Sequence, residues 1–408
     1  MIIKEYIKDF EKLGFGMFVH YGLYSVLGKG EWAQNCLEIP MDEYRNLAND
    51  FKPELDWAEK LVNTAKSAGC KYITLTTRHH DGFSLYDTCG LTDWDAPHIC
   101  GRDLVREFVE ACRAESIVPF FYHTLLDWYE PSFEKDFGRY LVYLRNSIKL
   151  LCTQYGKIGG IWFDGTWSKP GESWDEDTLY GLIREYQPEA MIINNTGLSA
   201  LGELGHIELD SVTFERGKPE PLNLEGTRKY VASEMCQVFN NHWGYAKSDF
   251  NYKAPADIIR DLTVCRGCGS NFLLNVGPMA NGLISLLDKS ILELIGRWVK
   301  MNAEALYEPR PSGITVENKR DDFILVNANK YYLFCDKLPM LSDPNVELVR
   351  SEVYEDIFYF DKNIKSVRWL DNNAALTYEQ DNNRVVIHTT PYKYGSHLVV
   401  RIARIETE

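Results

Sequence analysis

From about residue 55, this 408-residue chain repeats one unit, an amphipathic helix followed by a short apolar strand. In the first copy Trp57, Leu61 and Ala65 fall at helical spacing, Gly69 ends the helix, and residues 72–77 form the predicted strand. Further strands are predicted at 16–19, 117–122, 191–194, 231–236 and 272–276, and in a run that ends at Asp164. This alternation implies a parallel sheet with right-handed crossovers, and the strand number approaches that of a (β/α)8 barrel.

A second region begins where the helical pattern stops, near residues 306–311. It contains short alternating runs separated by turns rich in Asn and Asp, at 323–326, 331–335, 367–370 and 385–388. This pattern predicts a small antiparallel β-sandwich of about a hundred residues. Because single cores stop growing near roughly 250–300 residues, we predict two domains, a catalytic barrel over 1–305 and a C-terminal sandwich over 306–408.

Composition excludes several classes of function. The net charge of −15 argues against nucleic acid or an anionic membrane surface as a partner, and no apolar run approaches the roughly 20 residues of a membrane helix. No signal peptide is recognisable in the first ten residues, so a cytoplasmic protein is expected unless a leader was removed. No Gly-rich phosphate-binding pattern follows a strand, which disfavours a nucleotide-binding sheet. A small neutral substrate fits better.

The ten cysteines are scattered along the chain and do not form a disulfide framework. Most lie in apolar contexts typical of buried free thiols, among them Cys70, Cys112, Cys152 and Cys335. Cys265 and Cys268 form the one Cys-x-x-Cys pair. Because no second pair stands at zinc-ribbon spacing, we expect no metal or redox role for it.

Polar side chains recur at the C-terminal ends of the predicted strands. The residues concerned are His20, His79, His80, Tyr122, His123, Asp164 and Glu234. Such positions converge on one face of a barrel, so a shared pocket is predicted. Asp164 stands out because it ends a buried strand beside Trp162 and Phe163, although an Asp at this position could also cap the next helix.

Two chemistries could use such a pocket. In a metallohydrolase, His20, His79, His80 and Asp164 would bind Zn²⁺ or Mn²⁺. Adjacent histidines on a strand point to opposite sides, however, unless the strand has already broken into a loop.

In a glycosidase, one carboxylate attacks the anomeric carbon while a second carboxyl protonates the leaving oxygen. Neutral imidazoles and Glu31 would then bind the sugar hydroxyls. The chemistry is favoured by tryptophans close to the strand ends, namely Trp32, Trp128, Trp162 and Trp243.

Five motifs, in order, resemble those of the α-L-fucosidases of glycoside hydrolase family 29. They are FGMFVHYG from Phe15 to Gly22, Gly30-Glu31-Trp32, TRHHDGF from Thr77 to Phe83, Trp162-Phe163-Asp164-Gly165, and NFLLNVGP from Asn271 to Pro278. The resemblance covers roughly residues 10–300. It implies a (β/α)8-like catalytic domain, a C-terminal β-sandwich and a retaining mechanism.

The resemblance also implies roles for individual residues. Asp164 matches the nucleophile of the family. The fucose-binding set is matched by His20, Glu31, Trp32, His79, His80 and Trp162. Tyr122 matches a tyrosine that contacts the sugar, with His123 as its near rival.

The acid/base lies in a variable stretch of the family, beyond the nucleophile. The candidates in this chain are Glu215, Glu220, Glu225 and Glu234. We choose Glu234, because Ser233 to Cys236 followed by Trp243-Gly244-Tyr245 resembles the family's segment, although Ser233 replaces the usual tryptophan. Trp243 would then wall the pocket near the sugar methyl. Arg216 would lie near the nucleophile or, equally, form a surface ion pair.

The sequence therefore predicts an exo-acting, retaining α-L-fucosidase that needs neither metal nor cofactor and acts on a fucosylated oligosaccharide or glycoconjugate. A glycosidase for a related sugar such as α-L-galactose is the alternative within enzymes. A non-catalytic sugar-binding protein is the alternative from another class, and the presence of both Asp164 and Glu234 argues against it.

Overall fold

The computed structural model describes residues 3–196, 201–225, 228–318, 320–341 and 354–408. Its first part is a closed barrel of eight parallel strands in sequential order, which confirms the predicted fold class. The strands are β1 (Phe15–Val19), β2 (Tyr72–Arg78), β3 (Val118–Thr124), β4 (Gly160–Asp164), β5 (Met191–Asn194), β6 (Ser211–Glu215), β7 (Ala232–Gln237) and β8 (Asn271–Val276). Seven of these strands are predicted from the sequence, and β6 is not.

Helices follow most of the barrel strands, and in the described part of the chain two more helices come after the last barrel strand in the sequence. Within the described ranges the helices are α1 (Glu5–Leu13), α2 (Tyr24–Leu27), α3 (Ala33–Cys36), α4 (Met41–Arg45), α5 (Trp57–Ala68), α6 (Ala96–Cys100), α7 (Leu104–Ala114), α8 (Ser132–Lys135), α9 (Phe137–Gln154), α10 (Glu176–Tyr186), α11 (Pro255–Gly267), α12 (Leu286–Met301) and α13 (Ala303–Leu306), with 3₁₀ turns at Asn46–Asp50 and Thr166–Ser168.

Local sequence explains where these helices start and stop. Helix α5 ends at Gly69, as predicted, and this glycine adopts the left-handed conformation with φ of 95°. Helix α7 begins after Asp103, whose carboxylate accepts a hydrogen bond from the backbone N–H of Arg106. Apolar side chains such as Phe108 are buried on one side of α7.

Large aromatic side chains fill the lower half of the barrel. Helix α1 places Phe10 against Tyr72 and Phe120, with ring centroids 5.7 Å apart in both pairs. Asn271 donates a hydrogen bond to the Phe10 carbonyl. Tyr72 and Asn271 are the first residues of their strands, so α1 closes the N-terminal end of the barrel and leaves the C-terminal end for the pocket.

The described chain packs as two compact units. The first comprises residues 1–253 and 271–293 and contains all eight barrel strands, whereas the second comprises 254–270 and 294–408. The predicted domain boundary at residue 306 stays a prediction. By packing, α11 and α13, which both precede residue 307, belong to the second unit.

The second unit contains two antiparallel sheets, which confirms the predicted sandwich. One sheet has the order β13-β16-β11-β10-β9 and the other the order β12-β15-β14. Their bounds are β9 (Arg310–Thr315), β10 (Phe323–Asn327), β11 (Lys330–Asp336), β12 (Tyr354–Tyr359), β13 (Ile364–Trp369), β14 (Tyr378–Asp381), β15 (Arg384–Thr389) and β16 (Val400–Thr407). Buried side chains from both sheets, such as Leu333, Val367 and Ile387, share one core.

All ten cysteines are free thiols, and the four that the sequence placed in the interior are buried. Across the part of the chain that the structure describes, no helix is both long enough and apolar enough to cross a membrane.

Candidate active site

Strand β4 carries Asp164 at its C-terminal end, as the sequence predicts. The next residue, Gly165, has φ of 104°, and a Cβ atom there would lie 2.9 Å from the backbone nitrogen of Leu126. Only glycine fits this turn without strain. The turn brings the carboxylate of Asp164 to the upper end of the barrel rather than onto a helix N-terminus.

A pocket of about 200 Å³ opens at this end of the barrel. It is lined by Phe18, His20, Trp32, His79, His80, Tyr122, Trp162, Asp164, Trp167, Asn195, Glu215 and Trp243. Eight of these twelve residues belong to the site predicted from sequence. The prediction did not include Phe18, Trp167 and Asn195, and it considered Glu215 only as an alternative.

Asp164 is surrounded by hydrogen-bond donors. The Tyr122 hydroxyl donates to its Oδ2 at 3.1 Å, while Trp167 Nε1 and Asn195 Nδ2 lie 3.5 and 3.4 Å from its Oδ1. Burial raises the pKa of the Asp164 carboxyl above its ordinary value, and these three donors oppose the rise. The donors thus favour the ionised form that a nucleophile needs.

Glu215 ends strand β6 and faces Asp164 across the pocket. Asn195 Nδ2 donates to Glu215 Oε2 at 2.6 Å and also reaches Asp164 Oδ1 at 3.4 Å. These two carboxylate oxygens therefore lie no farther apart than the sum of the two distances. Burial first, and then the charge of Asp164, raise the pKa of the Glu215 carboxyl, which favours its protonated form.

Glu234, chosen from sequence as the acid/base, lies elsewhere. It is the third residue of β7 and pairs in register with Thr213, two residues before Glu215 on β6. Its carboxyl is buried below the pocket, where it accepts hydrogen bonds from the Tyr72 hydroxyl and, at 3.1 Å, from Trp162 Nε1. The strand continues to Gln237, so Glu234 is not at a strand end, and it is absent from the pocket wall.

The other acid candidates, Glu220 and Glu225, are exposed and do not line the pocket. Glu215 could have been found from sequence, because the alternation of Val212 and Phe214 indicates a strand that ends at this acid.

Two further predicted residues, Glu31 and Arg216, lie behind the pocket wall. Glu31 is buried and accepts hydrogen bonds from the backbone N–H groups of Trp243 at 3.0 Å and Gly244 at 2.8 Å. The Arg216 guanidinium lies 5.1 Å from the ring of Trp243 and donates to a backbone carbonyl at 3.0 Å. Both residues therefore hold the Trp243 wall, and neither lines the cavity.

Of the two rivals on β3, the structure brings Tyr122 into the pocket and turns His123 away. His123 contacts the Thr124 carbonyl and the Tyr86 hydroxyl outside the pocket. Adjacent residues of a strand face opposite sides, so only one of them could enter the barrel.

Three histidines, His20, His79 and His80, lie side by side in the pocket. The rings of His79 and His80 are 4.2 Å apart, and both can face the pocket because β2 has ended at Arg78. Burial lowers the pKa of His20 and of His80 to about 3, and it also lowers that of His79. The three imidazoles are therefore neutral near pH 7.

This cluster does not have the geometry of a metal site. Among the described residues, one group of His, Cys, Asp or Glu side chains brings enough ligand atoms together for a shared ion, and it consists of Asp322, Cys335 and Asp356 in the second unit. There the Arg320 guanidinium lies 2.7 Å from both aspartates, so a positive side chain of the protein already pairs with them. The predicted metallohydrolase set of His20, His79, His80 and Asp164 forms no such group.

Comparisons with known proteins point to one family. The family model described as "Alpha-L-fucosidase" matches residues 3–304. Tissue alpha-L-fucosidase of Mus musculus is 28% identical over 359 residues, covering 80% of this chain and 77% of that protein. The Homo sapiens protein of the same name is 29% identical over 337 residues, covering 74% of this chain and 69% of that protein.

Solved structures share the fold along the whole chain. Alpha-L-fucosidase isoenzyme 1 from Paenibacillus thiaminolyticus superposes with a TM-score of 0.83 and 28% identity, covering 99% of both chains. An alpha-L-fucosidase from Bacteroides thetaiotaomicron superposes with a TM-score of 0.82 and 24% identity, covering 100% of this chain and 96% of that one.

Proposed function

The chain belongs to the α-L-fucosidase family, and we propose that it releases terminal α-L-fucose with retention of configuration, using Asp164 as nucleophile and Glu215 as acid/base. The observation that carries this proposal is the shared contact of both carboxylates with Asn195 Nδ2, at 3.4 and 2.6 Å. The separation it allows is compatible with the roughly 5–5.5 Å of retaining glycosidases and leaves little room for the water that an inverting enzyme places between its carboxyls.

In the first step, an oxygen of ionised Asp164 attacks the anomeric carbon while the bond from that carbon to the leaving oxygen breaks. Protonated Glu215 gives its proton to the leaving oxygen, so the aglycone departs as a neutral alcohol. The product of this step is a fucosyl ester of Asp164 and an ionised Glu215. Burial and the Asp164 charge raise the Glu215 pKa, which favours the protonated form that this step requires.

In the second step, Glu215 accepts a proton from a water molecule, whose oxygen attacks the same carbon. The ester bond to Asp164 breaks, and fucose leaves with its original anomeric configuration. Both starting protonation states are restored. Two inversions at one carbon account for the retention.

The aromatic side chains that form the pocket floor favour a 6-deoxy sugar as the substrate. Phe18 contacts Trp162 and Trp243 with ring centroids 5.2 and 5.8 Å apart, forming an apolar surface that suits a methyl group. An α-L-galactoside would place a hydroxyl against this surface without a partner. We therefore propose fucosylated oligosaccharides or glycoconjugates as substrates, with the galactoside a poorer one.

The test is hydrolysis of matched aryl α-L-fucoside and α-L-galactoside, with the first-formed sugar anomer followed by ¹H NMR and each assay repeated in EDTA. We expect α-L-fucose as the first product, a lower kcat/KM on the galactoside, and no effect of EDTA. Appearance of the β-anomer first would refute the retaining mechanism. No turnover of either glycoside would favour a sugar-binding protein instead.

A further inference from the structure

Two of the pocket histidines are each contacted at Nδ1 by a partner whose own hydrogen bonding is already determined. His80 Nδ1 lies 2.7 Å from Thr124 Oγ1, and the same hydroxyl lies 2.5 Å from the carbonyl oxygen of Leu126. A carbonyl only accepts, and a hydroxyl has one hydrogen to give. Thr124 therefore donates to Leu126 and must accept from His80, which places the hydrogen of the neutral imidazole on Nδ1.

His20 is fixed in the same way from another strand. Its Nδ1 lies 2.7 Å from Asn275 Oδ1, while Asn275 Nδ2 donates to the Trp243 carbonyl at 2.7 Å. The contact with that carbonyl sets the orientation of the amide, because a flipped amide would bring two acceptors together. Asn275 therefore presents an oxygen to His20, and His20 must carry its hydrogen on Nδ1.

The consequence appears on the opposite side of each ring. With Nδ1 protonated and the ring neutral, Nε2 carries a lone pair and no hydrogen. His80 Nε2 lies 3.6 Å from Asp164 Oδ2, so two acceptors face each other beside the nucleophile. A group that brings its own hydrogen, such as a sugar hydroxyl, would satisfy the imidazole, whereas an Nε2–H tautomer would instead bond to the carboxylate and reduce its nucleophilicity.

We propose that Thr124 and Asn275 are positioning residues that lock His80 and His20 as Nδ1–H tautomers, so that the pocket accepts hydroxyl hydrogens from the sugar at two places. The part of this proposal that concerns the sugar rests on the proposed function. The part that concerns the tautomers does not, since it depends only on the free protein. His79 differs from both, because its Nδ1 has no partner within the described part of the chain.

The first experiment reads the tautomers directly from ¹⁵N chemical shifts of the imidazole nitrogens in the free protein, labelled at histidine. We expect His20 and His80 to be Nδ1–H forms in the native protein. Thr124→Val removes the acceptor with little change of shape, so His80 should shift toward Nε2–H while His20 stays unchanged. Thr124→Ser keeps the hydroxyl and should restore the native pattern.

Thr74→Val is the matched control. Thr74 is also a buried threonine of a barrel strand, and its hydroxyl has no hydrogen-bond partner within the described residues. This variant should leave the signals of both histidines in place. A native His80 found as the Nε2–H tautomer, or a Thr124→Val protein with unchanged His80 signals, would overturn the tautomer assignment whether or not the protein hydrolyses fucosides.

The second experiment uses modified ligands to determine which partner donates in the hydrogen bonds between the sugar and the imidazoles. Monodeoxy and monofluoro analogues of methyl α-L-fucoside, altered at O2, O3 or O4, are compared as competitive inhibitors. Fluorine accepts weakly and cannot donate, so at a hydroxyl that donates to an imidazole the fluoro analogue should bind no better than the deoxy analogue. We expect this at two ring positions in the native protein.

In Thr124→Val one of those positions should come to prefer fluorine over hydrogen, kcat/KM should fall about 10- to 100-fold, and Thr124→Ser should recover most of the loss. A fluoro analogue that binds better than its deoxy counterpart at all three positions of the native protein would overturn the proposal. An equal loss of kcat/KM in Thr124→Val with no change in the fluoro/deoxy ratio would do the same, because a merely structural role would produce it.

Discussion

The barrel holds acids at two depths, and their surroundings differ. Asp164 and Glu215 form an upper layer, half-buried at the pocket, and Glu234 forms a lower layer that is fully buried. Glu215 and Glu234 stand on neighbouring strands, and the register separates them by two residues, or about 6–7 Å along the strand. The upper acid faces a pocket and a second carboxylate. The lower one is enclosed by Tyr72 and Trp162, and its burial raises its pKa to about 7. Depth in the barrel therefore separates Glu215, the acid that we propose exchanges protons, from Glu234, which packs beneath the pocket.

The largest effect that would test this contrast comes from the upper layer. Asp164→Gly should lower kcat by about three or more orders of magnitude and leave the fold intact, because the route through the ester is lost. Added azide should restore part of the turnover by attacking the anomeric carbon in the place of the carboxylate. The measurement is kcat on an aryl fucoside with and without azide. More than a tenth of native kcat would contradict the assignment of the nucleophile.

Glu215→Ala should have the next largest effect, and its size should depend on the leaving group. A natural disaccharide needs protonation to depart, so its kcat/KM should fall by about 10²–10⁴-fold, whereas an activated aryl fucoside should be much less affected in the fucosylation step. The basic limb of the pH profile should flatten as well. Glu234→Ala is the deep-layer comparison and the exposed Glu220→Ala the surface control. If Glu234→Ala alone showed this leaving-group dependence, the two layers would exchange roles.

Substitution of Glu234 in the lower layer should have a smaller effect, and the effect should be on the stability of the fold rather than on the chemical step. Glu234→Ala leaves the Tyr72 hydroxyl and Trp162 Nε1 without their acceptor and opens a cavity, which should lower the free energy of unfolding by about 2–4 kcal/mol. Glu234→Gln keeps an acceptor of the same shape and should lose less. Denaturant unfolding of both variants, with kcat of the folded fraction, measures this. A thousandfold loss of kcat in Glu234→Gln at unchanged stability would place this residue in the chemistry.

The smallest effect is the pH dependence of that stability. The folded pKa of Glu234, about 7, lies above the ordinary value of 4.5, so between these pH values the unfolded chain is ionised while the folded one keeps its proton. The native protein should therefore lose stability relative to Glu234→Gln as the pH rises through this window, by at most a few kcal/mol, and the difference should level off above it. A difference that stays constant from pH 4.5 to 7 would mean that the deep carboxyl is not perturbed.

The sequence predicted the barrel but did not distinguish the acid of the upper layer from the acid of the lower layer. The alternation of helices and strands predicted the barrel, and the apolar run ending at Asp164 predicted that this acid ends a buried strand at the pocket. Strand β6 was missed because Ser211 to Glu215 follows a polar stretch and contains few strongly apolar residues. Without that strand, Glu215 did not stand out as a strand-end acid. Glu234 was chosen instead, because the segment from Ser233 to Cys236 resembles the acid/base segment of the family.

Other parts of the site could not be derived from a linear pattern at all. Trp167 and Asn195 enter the pocket from turns just after β4 and β5, where periodicity carries no information about direction. Glu31 was expected to touch the sugar, but its carboxylate holds the backbone of a segment more than two hundred residues away in sequence. Contacts of this kind depend on barrel closure, which brings the first and seventh strand ends together only in three dimensions.

The single amide nitrogen of Asn195, between the two upper carboxylates, has a consequence for the charge balance of the proposed cycle. Before the attack the negative charge belongs to Asp164, and in the ester intermediate it belongs to Glu215, so the pair carries one unit of charge throughout. The amide reaches both oxygens, at 3.4 and 2.6 Å, and can remain in place as the charge passes from one to the other. The surrounding dipoles then need no large reorientation at either step, and the cost of rearranging the environment around a moving charge stays small.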